Sequence, residues 1–176
     1  MTSPIMFRPS GKVNLVTPEM SERLRPVHAL HEAEFWKLCW QSVDIYRFLT
    51  PVGHCRNLRC VVDRLKKCGA SLAQLADPYA RQDLVRNTDW FRVCADMAND
   101  FDWARFRGSG SHDHPIRLRF VNQIERGECP RATWYVADGV HRTLVAGVLL
   151  DQKGIAWQPF TAVTTETDTW SGRLTK

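Results

Sequence analysis

The sequence lacks the features of membrane and secreted proteins. It has no apolar run long enough to span a bilayer, because Arg, Glu or Asp interrupts every hydrophobic stretch. The first residues, MTSPIMFRPSGK, do not contain the apolar core of a signal peptide. We therefore expect a cytoplasmic protein that does not insert into membranes, or one that is exported without a classical signal.

Cysteine is present, but not with the spacing that binds zinc. The sequence has no C-x-x-C pair, and no two ligand pairs have the separation of a zinc finger. A chain of this size with its own core and no secretory signal has little need of a disulfide framework. We predict reduced thiols, most of them buried. The six positions are Cys39, Cys55, Cys60, Cys68, Cys94 and Cys129.

The composition is that of one folded domain covering residues 1–176. Hydrophobic residues make up 44% and charged residues 24%, which allows a core and excludes wholesale disorder. Seven Trp and eight Phe add large apolar surfaces that folding can bury. The formal charge of +5 favours an anionic partner, such as DNA or a nucleotide.

Residues 1–106 are predicted to be mainly helical. Apolar residues recur three or four positions apart, which is the period of an amphipathic helix. Ser71 and Gln74 have the spacing of a capping box, and Gly69 is placed to end the preceding helix. The predicted elements are a strand at 12–16 and helices at about 27–49, at 58–68, from Ser71, from Asp77-Pro78, and along the stripe Trp90, Cys94, Met97 and Phe101.

Residues 107–163 are predicted to form a sheet, and 164–176 a polar tail. A Gly- and Ser-rich tract at 107–115 separates the two parts, and the apolar period changes there from helical to alternating. Ile116, Leu118 and Phe120 alternate with other residues as in a half-buried strand. Further strands are expected at 133–137 and 155–163, with a helix at 143–153 between them. The expected fold class is α+β with a helical N-terminal elaboration.

The predicted second strand is followed directly by DGVHR (138–142) and then by a helix. Glycine permits a tight turn and a close ligand approach, while a helix N-terminus presents N–H groups that suit a phosphate. Arg142 can bind two phosphate oxygens, and His141 can donate a hydrogen bond or move a proton. Asp138 could hold a metal or orient His141, and Thr143 adds a hydroxyl. The alternative is an ordinary Asp-Gly turn followed by surface side chains.

This strand–DGVHR–helix unit resembles the ParB/sulfiredoxin superfamily. Members carry a G-x-H-R-like or G-x-R-R-like motif at this junction, and here it is GVHR at 139–142, preceded by Asp138. The segments HPIRLRFV and IAWQPFTAV are similar to the family's flanking strands, so the resemblance covers about 115–163. It implies a small mixed sheet with helices that binds a nucleotide by its phosphates. Val140 stands where a sulfiredoxin has its Cys nucleophile.

Within the superfamily, the chain most resembles the plasmid fertility inhibition factors of the Osa type. These proteins block DNA transfer through type IV secretion and are associated with ATPase and DNase activity. The chain is too short for the helix-turn-helix and dimerisation domains of ParB itself. The resemblance implies hydrolysis of a nucleoside triphosphate and cleavage of DNA, with ATP and Mg²⁺ as cofactors. The implied partners are DNA, a nucleotide, and type IV secretion or coupling proteins.

In this interpretation, the motif supplies three catalytic residues. Arg142 stabilises phosphate charge, His141 is the acid, base or donor, and Asp138 is the metal or orienting ligand. The expected nucleotide-binding residues are Gly139, Val140, His141, Arg142 and Thr143. The expected DNA-binding residues are Arg105, Arg107, Arg117 and Arg119.

Other interpretations stay open. His112-Asp113-His114 could bind a divalent metal, although a polar loop before a proline explains it as well. Trp90 and Trp103 could stack on single-stranded DNA, although core packing explains most of the aromatic residues. One alternative function is a non-catalytic nucleotide sensor, or a DNA- or protein-binding inhibitor of the conjugation apparatus. Another is a small-molecule kinase on the same scaffold.

Overall fold

Six helices and a four-stranded sheet are found in the part of the chain that the computed structural model describes, residues 24–26, 30–40, 57–85, 87–107, 115–121, 132–160 and 162–165. The strands are β1 (Leu24–Pro26), β2 (Arg117–Phe120), β3 (Trp134–Asp138) and β4 (Val163–Thr165). The helices are α1 (Glu32–Trp36), α2 (Leu58–Lys67), α3 (Leu72–Ala76), α4 (Thr88–Asn99), α5 (Trp103–Arg107) and α6 (Val140–Lys153). None of these described helices is long and apolar enough to cross a membrane. The predicted α+β class is confirmed.

The sheet has the strand order β1-β4-β2-β3 and mixes two kinds of pairing. Strand β2 runs antiparallel to β3 and parallel to β4, and β1 runs antiparallel to β4. Leu118 and Val136 are opposite each other on β2 and β3, and both are buried. Cys39 lies along the outer side of β3, where its N–H donates to the Trp134 carbonyl and its carbonyl accepts from the Val136 N–H. The segment around Cys39 therefore covers an edge that would otherwise present unpaired backbone groups.

Helix α6 is the central helix of the core. Every residue from Thr143 to Leu150 is buried, and α2 and α4 both pack against this helix. Gly147 allows a close approach to α2, because a Cβ at this position would lie 2.9 Å from Leu58 Cδ1. Gly154 ends the helix with φ of +58°, in the left-handed region that glycine adopts readily.

Local sequence signals correctly predicted the helices α2, α3 and α4. In α3, the Ser71 hydroxyl accepts from the Gln74 N–H at 3.2 Å and the Gln74 side chain accepts from the Ser71 N–H at 3.0 Å, so the capping box is confirmed. Gly69 follows α2 with φ of +61°. Four of the six cysteines lie in the described residues and carry thiols. These are Cys39, Cys60, Cys68 and Cys94.

Two of the predicted helices are wrong over part or all of their length. Of the helix expected at about 27–49 the structure describes residues 30–40, and these are helical only at Glu32–Trp36. Cys39 is extended because its backbone bonds to β3. No helix begins at Asp77-Pro78. The Asp77 side chain accepts from the Tyr79 N–H at 2.8 Å, and this local bond makes a turn in place of a helix.

The last strand is also displaced from its predicted position at 155–163. Among the described residues 155–160 and 162–165, one isolated bridge joins Phe160 to Leu30, and the regular pairing is that of β4. Pro159 has no N–H to give to a strand, which is consistent with the late start. Strand β4 reaches Thr165, inside the predicted tail, and β1 brings the predicted helical part into the same sheet. The predicted strand at 12–16 lies outside the described residues.

Candidate functional site

The DGVHR sequence lies where β3 ends and α6 begins. Helix α6 begins at Val140, three residues before the predicted start, so most of the motif is its first turn. Gly139 is the N-cap and has φ of +92°. A Cβ here would lie 2.5 Å from Ile116 Cδ1 and 3.1 Å from Arg142 Nη2. The backbone angle and the available space both require glycine at this position.

Thr143 closes the first turn of α6. Its N–H and its hydroxyl both donate to the Gly139 carbonyl, each at 2.9 Å, and its side chain is fully buried. The N–H groups of Val140 and His141 come before this first bond of the helix, at the position where helices bind phosphate. The Thr143 hydroxyl itself is held in the turn and faces the core, so we do not retain it as a ligand contact.

Arg142 places a half-buried cation at this turn. Its Nη2 lies 3.9 Å from Asp138 Oδ2, and the two side chains are 17% and 66% exposed. Burial lowers the pKa of the Arg142 guanidinium, while Asp138 raises it and Arg105 lowers it further. An arginine still keeps its charge at any physiological pH. Asp138 is also the register partner of Arg117 on β2.

His141 is held against an aromatic ring of α4. Its imidazole stacks on Trp90 with ring centroids 4.3 Å apart and an angle of 27° between the planes. Burial lowers the pKa of His141 below its ordinary value of 6.5, and the nearby Asp138 acts in the opposite direction. The ring is therefore mainly neutral at pH 7, when it can accept a proton as well as donate a hydrogen bond.

A cleft with two lobes runs along this turn, and the lobes share Met97, Asp138 and Arg142. Their volumes are about 420 Å³ and about 320 Å³. The larger lobe is also lined by Asp100, Phe101, Asp102, Arg105 and Phe106. The smaller lobe is also lined by Trp90, Ala137, Gly139, Val140 and His141. Each lobe has the size of a small-molecule site.

The four arginines expected to bind DNA have different surroundings. Arg117 lies on β2, opposite Asp138 of β3. Arg105 lines the larger lobe together with Arg142. Arg107 lies over the Trp103 ring, 5.1 Å from its centroid. Arg119 lies 3.7 Å from the centroid of Tyr135 and donates to the Phe120 carbonyl. Sequence reasoning missed that Arg105 and Trp90 reach the motif, because both contacts join residues that are far apart in the chain.

The described residues contain no group of three or more His, Cys, Asp or Glu side chains that could hold a metal ion. Mg²⁺ in nucleotide sites needs only one or two protein carboxylates, because phosphates and waters supply its other ligands. Asp138 is an exposed carboxylate shared by both lobes, and it fits that role. His112-Asp113-His114 lies outside the described residues.

Comparison with known proteins gives no relative: no family model, no curated protein and no solved structure matches the chain. The resemblance to the ParB/sulfiredoxin superfamily therefore stays a prediction based on DGVHR and its flanking segments. The function has to be inferred from the chemistry of the cleft.

Proposed function

We propose that the chain binds the phosphates of a nucleoside triphosphate, ATP, at the first turn of α6. The main support is the half-buried Arg142 guanidinium beside a glycine-capped helix N-terminus in a cleft of small-molecule size. The 14 residues of α6 give a full helix dipole, whose positive end attracts an anion. Arg142 adds two parallel charge-assisted hydrogen bonds, which orient the phosphate as well as attract it.

The proposal extends to hydrolysis of the triphosphate, with Mg²⁺ neutralising part of its charge when bound. Asp138 lines both lobes of the cleft and would share that ion with the phosphates. Arg142 stabilises charge on the transferred phosphoryl group, and His141 moves a proton at its imidazole. Burial lowers the pKa of His141, so its imidazole is mainly uncharged at pH 7 and can accept a proton, which supports this role.

The proposed biological role is that of a plasmid fertility inhibition factor of ParB/sulfiredoxin type. Such a protein cleaves DNA and blocks its transfer through type IV secretion. The formal charge of +5 supports a DNA partner. Contacts from arginines such as Arg107 and Arg117 would go mainly to phosphates, so DNA binding is salt-sensitive and largely independent of sequence.

Calorimetric titration of ATP with Mg²⁺ into the wild type and three variants tests the nucleotide site. We expect Arg142→Ala to weaken ATP binding by roughly tenfold to a hundredfold, from the loss of charge-assisted hydrogen bonds. Arg142→Lys recovers only part of the affinity, because it keeps the charge without the planar fork. Arg92→Ala is the control, since Arg92 is an exposed α4 residue that pairs with Asp89 at 3.2 Å. Unchanged ATP binding by Arg142→Ala would contradict the proposal.

A second candidate function is nucleotide binding without turnover, as in a sensor or an inhibitor of the conjugation apparatus. The stack of His141 on Trp90 favours it, because a packed imidazole also serves to shape the cleft. Phosphate release at saturating ATP separates the two functions. Release that depends on His141 supports hydrolysis, and tight binding without release supports the sensor.

A further inference from the structure

Two guanidinium groups from separate helices line one lobe of the cleft. Arg142 belongs to the first turn of α6, and Arg105 belongs to α5. Both line the 420 Å³ lobe, and they are close enough for Arg105 to lower the pKa of Arg142. The two like charges repel each other, and a ligand that carries negative charge toward both would relieve that repulsion.

Helix α5 is well anchored and so holds Arg105 in place. The Asp102 side chain accepts from the Arg105 N–H at 2.8 Å. Phe106, the next residue, is buried and packs on Phe160 with ring centroids 4.8 Å apart. These two contacts hold the backbone on either side of Arg105, an exposed residue that lines the lobe.

The same lobe also carries carboxylates. Asp100, Asp102 and Asp138 line it together with the two arginines. A bare polyanion would meet these negative groups as well as the positive ones. A phosphate chain that carries Mg²⁺ avoids the conflict, because the ion offsets the carboxylates while the phosphate oxygens face the guanidinium groups.

We propose that Arg105 is a second phosphate-binding residue and that the cleft selects a chain of two or more phosphates over a single phosphate. The inference rests on the proposed function, in which Arg142 and the start of α6 hold one phosphate. Arg105 then holds the next phosphate of the chain. This role replaces the DNA contact expected for Arg105 from the sequence.

The test compares Mg²⁺ complexes of orthophosphate, pyrophosphate and tripolyphosphate as calorimetric probes. We expect Arg105→Ala to weaken tripolyphosphate and pyrophosphate binding about tenfold or more, and orthophosphate binding by less than about twofold. Arg92→Ala is again the control, because Arg92 is an exposed arginine that pairs with Asp89 and lines neither lobe. It should leave the binding of all three probes unchanged. Thermal melting of each variant checks that it is folded.

Different results would contradict the role of Arg105 and the proposed nucleotide binding. If Arg142→Ala loses tripolyphosphate binding and Arg105→Ala does not, the role of Arg105 is overturned and the phosphate site stands. Equal losses of all three probes in Arg105→Ala overturn the selectivity for a phosphate chain. If Arg142→Ala binds tripolyphosphate like the wild type, or the wild type binds none of the probes, the proposed function itself fails.

Discussion

Helix α6 has two regions with opposite surroundings. Residues 140–142 are half-exposed and line the cleft, whereas residues 143–150 are buried at every position. The buried region packs against α2 and α4 and so holds the whole helix in position. The first turn therefore contributes little to the core. Substitutions in the buried region should therefore change the free energy of unfolding, and those in the first turn should change ligand binding.

The largest expected effect comes from truncating the buried region. Leu144 is 0% exposed, so Leu144→Ala should lower the free energy of unfolding by about 2–5 kcal/mol. Urea denaturation measures this loss. Lys153→Ala, at the exposed end of the same helix, is the control and should change stability by less than about 0.5 kcal/mol. A loss below about 1 kcal/mol for Leu144→Ala would show that the region is not the core that its burial indicates.

Gly147→Ala should give a smaller loss. Its Cβ would lie 2.9 Å from Leu58 Cδ1, and overpacking of this kind costs about 1–3 kcal/mol. Alanine recovers about 1 kcal/mol of helix propensity, so the net loss in the free energy of unfolding should be about 0–2 kcal/mol. A double-mutant cycle with Leu58→Ala should show that the two positions are coupled. A stabilised Gly147→Ala protein would mean that α2 and α6 have room to move apart.

The smallest expected effect is a pH dependence that arises in the first turn. Burial lowers the pKa of His141 from 6.5, so below that pH the unfolded chain binds the proton more readily than the folded one. The stabilising contribution is present above pH 6.5 and is lost as the pH falls from there toward the folded pKa. Urea denaturation at pH 7.5 and pH 5.5 measures it. His141→Phe, which keeps an aromatic ring beside Trp90, should show a smaller drop, and an equal drop would count against this origin.

The sequence predicted those parts of the fold whose causes are local. Ser71 and Gln74 make their capping box within one turn, and the Gly69 and Gly154 helix ends depend only on backbone conformation. The strand–turn–helix at DGVHR was also found, because an apolar strand, a glycine and a helical stripe follow one another directly. The position of Gly139 between β3 and α6 therefore agrees with the sequence analysis.

Long-range contacts decided the parts that could not be predicted. Leu38 and Cys39 have helical spacing from the preceding apolar residues, yet hydrogen bonds from Cys39 to β3 make that segment extended. The cleft is likewise a tertiary feature, since α4 supplies Trp90 and α5 supplies Arg105 to a turn at the start of α6. No local pattern around either residue shows which distant turn it will meet.

In the proposed function, helix α6 combines a ligand-binding first turn with a buried body. Backbone amide NMR of the wild type during titration with ATP and Mg²⁺ tests it most directly. We expect the largest shift changes at Val140, His141 and Arg142, with smaller changes along 144–150. Saturable binding whose largest changes lie away from 138–142 and from the cleft would contradict it.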